Sequence, residues 1–362
     1  MDAGPAVDRP SWVLHVDLDQ FIAAVEVLRR PELAGRAVVV GGRGDPSERG
    51  VVATASYEAR EHGVGSGMPL RVAARRVPDA VFLPVDKPAY DAASAAVMDT
   101  LRGLEWGGVP VVVQVLGWDE AFLAAREGHG PLGDPAELAG LVRAEVLAAT
   151  GLHCSVGIGD NKLRAKIATD FGKPRGVSRL TAATWWEVMG PRPTEALWGI
   201  GRKTARRLAA LGIETVDQLG HADARWLADE LGPTMGPWYR RLGRGVDTSP
   251  VDATPYVAKA HGREETYQTD LEDPARIAEE VRALARRVAA DLDAEGRPAV
   301  RVGIKVRLRP FVTHTRSLTL PEPTRDHDAL ADAAALLLER VPLDRPVRLL
   351  GVRLEMAEPA DP

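Results

Sequence analysis

From Val300 to Pro310 the sequence alternates strictly, with Arg301, Gly303, Lys305, Arg307 and Arg309 at one parity and Val302, Ile304, Val306 and Leu308 at the other. Strand side chains point to opposite faces with period two, so this segment predicts a strand with one apolar, buried face and one basic, exposed face. Around it the spacing predicts a strand near 257–267, a helix over 274–293, strands over 299–309 and 312–320, a helix over 327–341 and a strand over 346–355. That order, β-α-β-β-α-β, is a ferredoxin-like unit. Ile277, Val281, Leu284, Val288 and Leu292 give its first helix one apolar face to lay on the sheet.

Upstream, Trp12 to Val16 is a short apolar run that reads as a buried strand entering Asp17-Leu18-Asp19, and Phe21 to Leu28 has helical spacing. Ala37 to Val40 and Val51 to Ala55 read as strands joined by the turn-rich segment Gly41 to Pro46. Val109 to Leu116 is a second β run, ending at Gly117-Trp118-Asp119-Glu120 and resuming in Ala121 to Ala124. A helix from Pro135 to Thr150 leads to a strand, Cys154 to Ile158, and Asn161 to Phe171 is helical. Thr181 to Arg244 is helix-rich, punctuated by Gly199-Ile200-Gly201 and Leu211-Gly212-Ile213. Val246 to Pro255, polar and with two prolines, suits a linker.

At 362 residues the chain is too long for one ordinary domain. Its 45% apolar and 27% charged residues are those of a soluble globular protein. No apolar run approaches the roughly 18 to 20 residues of a membrane span, and Met1 to Pro10 lacks the apolar core of a signal peptide. Cys154 is the only cysteine, so no intrachain disulfide forms and a reducing, cytoplasmic setting is expected; the chain is expected to act as a monomer. The net charge of −5 weighs against a nucleic-acid partner unless the cations are segregated. The 301–309 stripe is such a segregation, and Lys259, Arg263 and Arg316 on the flanking strands are expected to extend it. A solvated face would mix both signs, so a single-sign stripe suits the backbone of a duplex.

Two strand ends are acidic: Asp17 and Asp19 on one, Asp119 and Glu120 on the other. If these strands are neighbours, three carboxylates converge. Converging carboxylates repel unless cations neutralise them, and Mg2+ prefers carboxylate oxygens plus substrate phosphates. Two-metal phosphoryl-transfer sites are built this way. An Asp pair at a strand end is more often a turn or helix cap, and Asp19 is expected to serve as one. Thr54, Tyr57, Arg60 and Lys173 suit a triphosphate: Tyr57 and Arg60 are three apart and share a face on a helix, and Arg forks and Lys charges match phosphate oxygens.

Read together, these segments resemble one family. His15-Val16-Asp17-Leu18-Asp19-Gln20-Phe21-Ile22, running on to Glu26, resembles the first motif of DinB-type Y-family lesion-bypass polymerases. Thr54-Ala55-Ser56-Tyr57-Glu58-Ala59-Arg60 with Gly67-Met68-Pro69 is similar to their fingers motif, and Asp119 to Leu123 to their second metal motif. Gly157 to Lys162, with Ala165 to Pro174, is similar to their palm helix and phosphate-lysine motif. The motifs follow the family's order and spacing from about residue 11 to 355.

The resemblance implies an α+β multidomain, right-hand polymerase with palm (11–28 and 78–176), fingers (29–77), helical thumb with a helix-hairpin-helix (177–245), linker (246–256) and ferredoxin-like little finger (257–357). It implies a nucleotidyltransferase of low processivity without proofreading, acting on primer-template DNA and dNTPs with two Mg2+ ions, for which Mn2+ can substitute. Asp17, Asp119 and Glu120 would be the metal ligands, with the Leu18 carbonyl completing one site; Leu18, Gln20, Phe21, Ile22, Thr54, Tyr57, Arg60 and Lys173 would line the nucleotide site. Leu197 to Ile213 is similar to a helix-hairpin-helix, in which Gly199, Gly201 and Lys203 would meet a DNA phosphate.

Three departures stand out. The family's aromatic steric gate, five positions after the first metal Asp, is here Ile22, in the style of an actinobacterial variant, so rNTPs are expected to be poorly excluded. Gly117-Trp118 replaces the usual Ser-Ile before Asp119, which bears on local packing and not on metal binding. Leu349 to Pro362 carries no hydrophobic clamp-binding peptide, so a sliding-clamp contact would need an internal segment. The rivals are a catalytically impaired, polymerase-like protein that binds DNA and recruits partners, which would lack the three carboxylates, and another palm-fold enzyme such as a nucleotide cyclase, which would lack the hairpin and the basic C-terminal unit.

Overall fold

The computed structural model describes residues 12–125 and 133–359; Met1 to Pro10, residues 126–132 of the expected palm and the last three residues of the clamp-peptide region lie outside them. Two compact units form. One runs to Val40 and takes in Ala53–Ser66 and Asp79–Thr254; the other comprises Gly41–Val52, Gly67–Pro78 and the chain from Pro255 onward. No helix among the described residues is long and apolar enough to cross a membrane.

The first unit begins with β1 (Val13–Leu18), α1 (Phe21–Arg29), β2 (Val38–Val40), β3 (Thr54–Ala55) and α2 (Tyr57–Glu61). After α3 (Leu70–Arg76), which belongs to the second unit, come β4 (Val81–Leu83), α4 (Lys87–Arg102), β5 (Glu105–Trp106), β6 (Val109–Val115) and β7 (Glu120–Ala125). Then follow α5 (Pro135–Thr150), β8 (Cys154–Gly159), α6 (Lys162–Gly172) and β9 (Val177–Leu180). Six strands make one sheet in the order β5-β6-β7-β1-β8-β9, and β3-β2-β4 make a small second one. The predicted Val51 to Ala55 strand is shorter than expected, because the Val52 N–H and C=O are taken by Met68 and Gly67 and only Thr54 and Ala55 stand in ladder register with β2.

Alternation along β1 sorts the sheet's two faces. Leu14, Val16 and Leu18 join the core under α4 and α5, whereas Val13 packs with Phe122 and Ala165 under α6. Helix α6 can lie this close only because β8 carries glycines: a Cβ at Gly157 would collide with the backbone of Ala165 and Thr169, and one at Gly159 with Ala165. That approach brings the lysines of α6 to the acidic strand ends.

Five helices complete the unit: α7 (Trp185–Met189), α8 (Arg202–Ala210), α9 (Val216–His221), α10 (Ala224–Leu231) and α11 (Met235–Gly243), around Trp185, Leu208, Leu219 and Leu227. The first arm of the expected hairpin is not an α-helix. A 3-10 turn, Thr194–Ala196, stands where a helix would, since Pro191 and Pro193 supply no backbone donors.

The second unit carries β10 (Ala260–Leu271), α12 (Pro274–Glu295), β11 (Ala299–Leu308), β12 (Val312–Thr324), α13 (His327–Leu336) and β13 (Val347–Met356), so the β-α-β-β-α-β order holds. The strands lie in the order β10-β13-β11-β12, all antiparallel. From Arg301 to Leu308 of β11 the even residues are buried, Val302 and Val306 fully, and the odd ones point outward; the register shifts between Ala299 and Arg301. The flanking cations depart from expectation. Arg263 stands opposite Val352 and Arg316 opposite Ile304, which puts both on the helix-covered face. There Arg263 forks onto Asp291 of α12 at 2.6 and 2.7 Å, and Arg316 Nε donates to the Arg340 carbonyl at 2.9 Å. The outward face is not single-signed either: Glu264 pairs with Lys305 at 2.8 Å and Glu355 lies 3.8 Å from Arg301.

Candidate active site

β1 lies between β7 and β8, antiparallel to both, with Asp17 directly opposite Glu120 and Ser155. The Leu18 N–H donates to the Asp119 carbonyl at 2.9 Å. The two acidic strand ends are therefore neighbours, and Asp17, Asp119 and Glu120 gather at one end of the sheet. The Gly117-Trp118 turn packs well: Trp118 meets Tyr90 edge-on at 6.3 Å, and the Ser94 hydroxyl donates to its carbonyl at 2.6 Å.

Each carboxylate has its own electrostatic setting. Asp17 takes an ion pair from Lys173 Nζ at 2.8 Å, yet burial outweighs it and raises its pKa. Glu120 Oε2 lies 3.2 Å from His15 Nε2 and accepts from Lys166 Nζ, which together hold its pKa down to about 2. Among the described residues Asp119 has no cationic partner in bonding range; burial, then the neighbouring Glu120, raises its pKa. His15 is itself buried, with Nδ1 2.8 Å from the Thr169 hydroxyl, and burial keeps it below the ordinary histidine value. No group of three or more His, Cys, Asp or Glu among the described residues is arranged to hold a metal as it stands. Lys173 and Lys166 draw two of the carboxylates to themselves, each occupying a place a cation can take. An all-oxygen donor set with one carboxylate unpaired suits a hard divalent cation that brings phosphate ligands with it.

Asp19 is not part of that cluster, nor is it the cap of α1, whose N-cap is Gln20 in a left-handed conformation (φ 45°) without side-chain bonding. It is 3% exposed and serves as a hub: the Tyr57 hydroxyl donates to Oδ1 at 2.8 Å, Ser155 Oγ to Oδ1 at 3.0 Å and the Arg175 N–H to Oδ2 at 2.9 Å. Gln20 Oε1 accepts from the Tyr57 N–H at 2.5 Å. Asp19 and Gln20 thus fasten α2 to the end of β1. Tyr57 and Arg60 share a face of α2, the guanidinium 5.0 Å from the ring centre, with Thr54 on the adjacent β3. Ile22 and Phe21 are buried on α1.

Lys166 and His15 were within the quoted motifs but were given no role by sequence reasoning. A signal was present: only seven residues of the chain are lysines, and Lys162, Lys166 and Lys173 all come from α6 or its end. Arginine dominates elsewhere, so lysine recurring here marks a local need for a compact charge. A second missed cluster lies in the other unit, where Arg49, Arg71, Arg307 and Arg348 line a cavity of about 500 Å3 beside Phe311. Arg348 sits 5.1 Å from the Phe311 ring, and burial, then Arg49, depresses its pKa.

In the hairpin, Gly199 takes φ +96° and Gly201 is the N-cap of α8, with Lys203 exposed in its first turn. The outward Arg301, Lys305 and Arg307 and the exposed Lys259 and Arg309 complete the expected cations, though Arg309 lies 3.4 Å from Asp270, which Arg49 also engages.

Residues 16–170 match the impB/mucB/samB family and residues 258–362 the C-terminal domain of that family. DNA polymerase IV 2 of Mycobacterium tuberculosis (strain H37Rv) is 50% identical over 349 residues, covering 96% of this chain and 99% of the relative. DNA polymerase IV of Methanoculleus marisnigri is 41% identical, covering 96% and 94%. Among solved structures, a Y-family DNA polymerase chimera of Dbh and Dpo4 superposes with a TM-score of 0.82 at 27% identity, covering 95% of this chain and 98% of its own. An insertion ternary complex of Dbh DNA polymerase gives a TM-score of 0.65 at 26% identity over the same shares. With its carboxylates, lysines and C-terminal sheet in that company, the chain belongs to the Y family of translesion-type, DNA-directed DNA polymerases, among the DNA polymerase IV homologues.

Proposed function

We propose that the chain extends a primer by two-metal nucleotidyl transfer from dNTPs and that it discriminates only weakly against ribonucleotides. The observation that carries the first part is the register of β1 on β7, which gathers Asp17, Asp119 and Glu120 at one sheet end. Mg2+, or Mn2+ in its place, held by these three carboxylates and the Leu18 carbonyl, would neutralise the triphosphate and acidify the primer hydroxyl. Lys173, Tyr57 and Arg60 orient the triphosphate, and Lys173 is freed for it once Asp17 has another cation. Lys166 and His15 hold the Glu120 carboxylate in place. No side chain stands out as a general base, which suits a reaction carried by positioning and electrostatics.

Palm, fingers, thumb and little finger correspond in this proposal to residues 11–28 with 78–176, 29–77, 177–245 and 257–357. The hairpin amides and Lys203 take primer phosphates. Arg301, whose nearest carboxylate is Glu355 at 3.8 Å, and Arg307, which bonds the Thr313 hydroxyl, lie on the outward face of β11 and meet the duplex backbone, and the four-arginine cavity takes phosphates of the same DNA. An impaired, recruiting protein is disfavoured, since the chain carries all three carboxylates, Asp17, Asp119 and Glu120, whose loss would mark it.

The ribonucleotide proposal rests on Ile22. An aliphatic side chain cannot lay a flat ring under the sugar, and an apolar pocket rejects one added hydroxyl by only about 1–3 kcal/mol, roughly 10- to 200-fold. Steady-state insertion of rGTP against dGTP opposite template C tests it. A preference below about 100-fold that rises sharply in Ile22→Phe is expected. A preference above about 10,000-fold in the wild type refutes it.

A further inference from the structure

Lys166 and Glu120 leave unexplained the ring beside them. Trp198 lies in the turn between Thr194–Ala196 and α8, and it is 43% exposed. Its neighbours in the turn are the reverse: Leu197 is 2% and Ile200 3% exposed, both in the helical core. The Ile200 N–H donates to the Leu197 carbonyl at 3.0 Å. Gly199 is fixed at positive φ, where a Cβ would meet the Trp238 ring at 3.0 Å. A turn pinned on both sides thus presents one large ring to solvent, a poor use of an indole unless something covers it.

The ring's surroundings say what that is. Its centroid lies 5.5 Å from Lys166 Nζ, the same ammonium that donates to Glu120 Oε2. The Phe122 ring, two residues beyond Glu120, meets it edge-on at 6.4 Å. The indole N–H has no hydrogen-bond partner among the described residues. On its other side the chain continues directly into Gly199, Gly201 and the start of α8. Trp198 therefore stands between the carboxylate end, where the primer's 3′-hydroxyl must react, and the hairpin, where its backbone is held.

We propose that Trp198 is the platform on which the sugar and base of the primer's terminal nucleotide rest, a positioning residue that fixes the 3′-hydroxyl for attack. This rests on the polymerase reading above. Aromatic faces hold nucleotides without regard to sequence, as an enzyme extending any primer requires, and Lys166 ties the ring to the carboxylate it must be in register with. Misplacing a reacting atom by about 1 Å costs on the order of 100-fold in rate.

Single-turnover extension by preformed enzyme–primer-template complexes tests this in Trp198→Ala, Trp198→Leu and Trp198→Phe, each checked for folding by thermal melting. Ala and Leu are expected to lower the maximal rate about 10- to 100-fold while the apparent Kd for dNTP stays within about threefold. Phe, which keeps a flat ring, should recover the rate to within about threefold of wild type. A 2-aminopurine at the primer terminus should brighten in the Ala and Leu complexes as it loses its platform. A rate in the folded Ala or Leu variant within about twofold of wild type overturns the proposal, as does a Phe variant no better than Ala. A wild-type protein that fails to extend any primer overturns the polymerase reading instead.

Discussion

Asp19→Ala distinguishes a carboxylate that holds the fold from one that holds metal. Asp19 is 3% exposed and accepts from Tyr57, Ser155 and Arg175 at 2.8, 3.0 and 2.9 Å. A hydrogen bond to a charged group contributes about 1.5–3 kcal/mol, so three give about 4.5–9 kcal/mol gross. Alanine also abolishes the penalty of burying the charge, which returns part of that sum and leaves a loss of about 3–5 kcal/mol. For a unit of roughly 150–250 residues, at about 2–4 °C per kcal/mol, the Tm falls by roughly 6–20 °C. Tyr57→Phe removes one of the three bonds and leaves the charge buried, at a cost of about 1.5–3 kcal/mol, or about 3–12 °C. The assay pairs thermal melting with an Mg2+ titration of primer extension, at a temperature where every variant is folded. The Asp19 variant should melt early yet reach half-maximal extension at the wild-type Mg2+ concentration, within about threefold. An unchanged Tm with an Mg2+ requirement raised about tenfold or more would make Asp19 a metal ligand and refute the hub.

Two further outcomes concern the C-terminal sheet. Replacing Arg301, Lys305 and Arg307 together should flatten the log–log salt dependence of DNA binding by about two rather than three, because Lys305 is already paired with Glu264; fluorescence anisotropy across a salt series reads this, and an unchanged slope means the face meets no phosphate. Arg263→Ala should leave that slope alone and instead lower stability, since Arg263 holds Asp291 below the usual carboxylate range. The folded pKa of Asp291 lies below its unfolded value, so the pair stabilises at pH above the ordinary Asp range and loses that contribution as pH falls through the lowered pKa. With the Arg263 side chain 43% exposed, the cost at neutral pH is at most about 1 kcal/mol. Urea titrations should find wild type and variant converging in acid; a gap that persists there contradicts the pairing.

What the sequence disclosed and what it withheld divide along physical lines. Helix α5 ran from Pro135 to Thr150 as the spacing said, because a proline after an Asp N-cap and a left-handed Gly151 mark its ends locally. The alternation in β11 was equally plain, since parity is written within one strand. Parity does not carry to a neighbouring strand, where register decides, and for that reason Arg263 and Arg316 were assigned to the wrong face. Asp19 shares parity with Asp17, but β1 ends at Leu18 and the left-handed Gln20 turns the chain, so the second carboxylate goes inward to Tyr57. The pairing of β1 with β7, about a hundred residues apart, was legible only through the resemblance, because strand adjacency over such distances leaves no local trace.

Primer extension by Asp17→Ala and Asp119→Ala, run beside primer-template binding by the same preparations, bears most directly on the active site. The convergence of these carboxylates with Glu120 predicts that extension with Mg2+ falls by at least about 100-fold in each variant, while the Kd for DNA stays within about threefold of wild type. Extension at a near wild-type rate in either variant would contradict the assignment of these carboxylates to the metal ions.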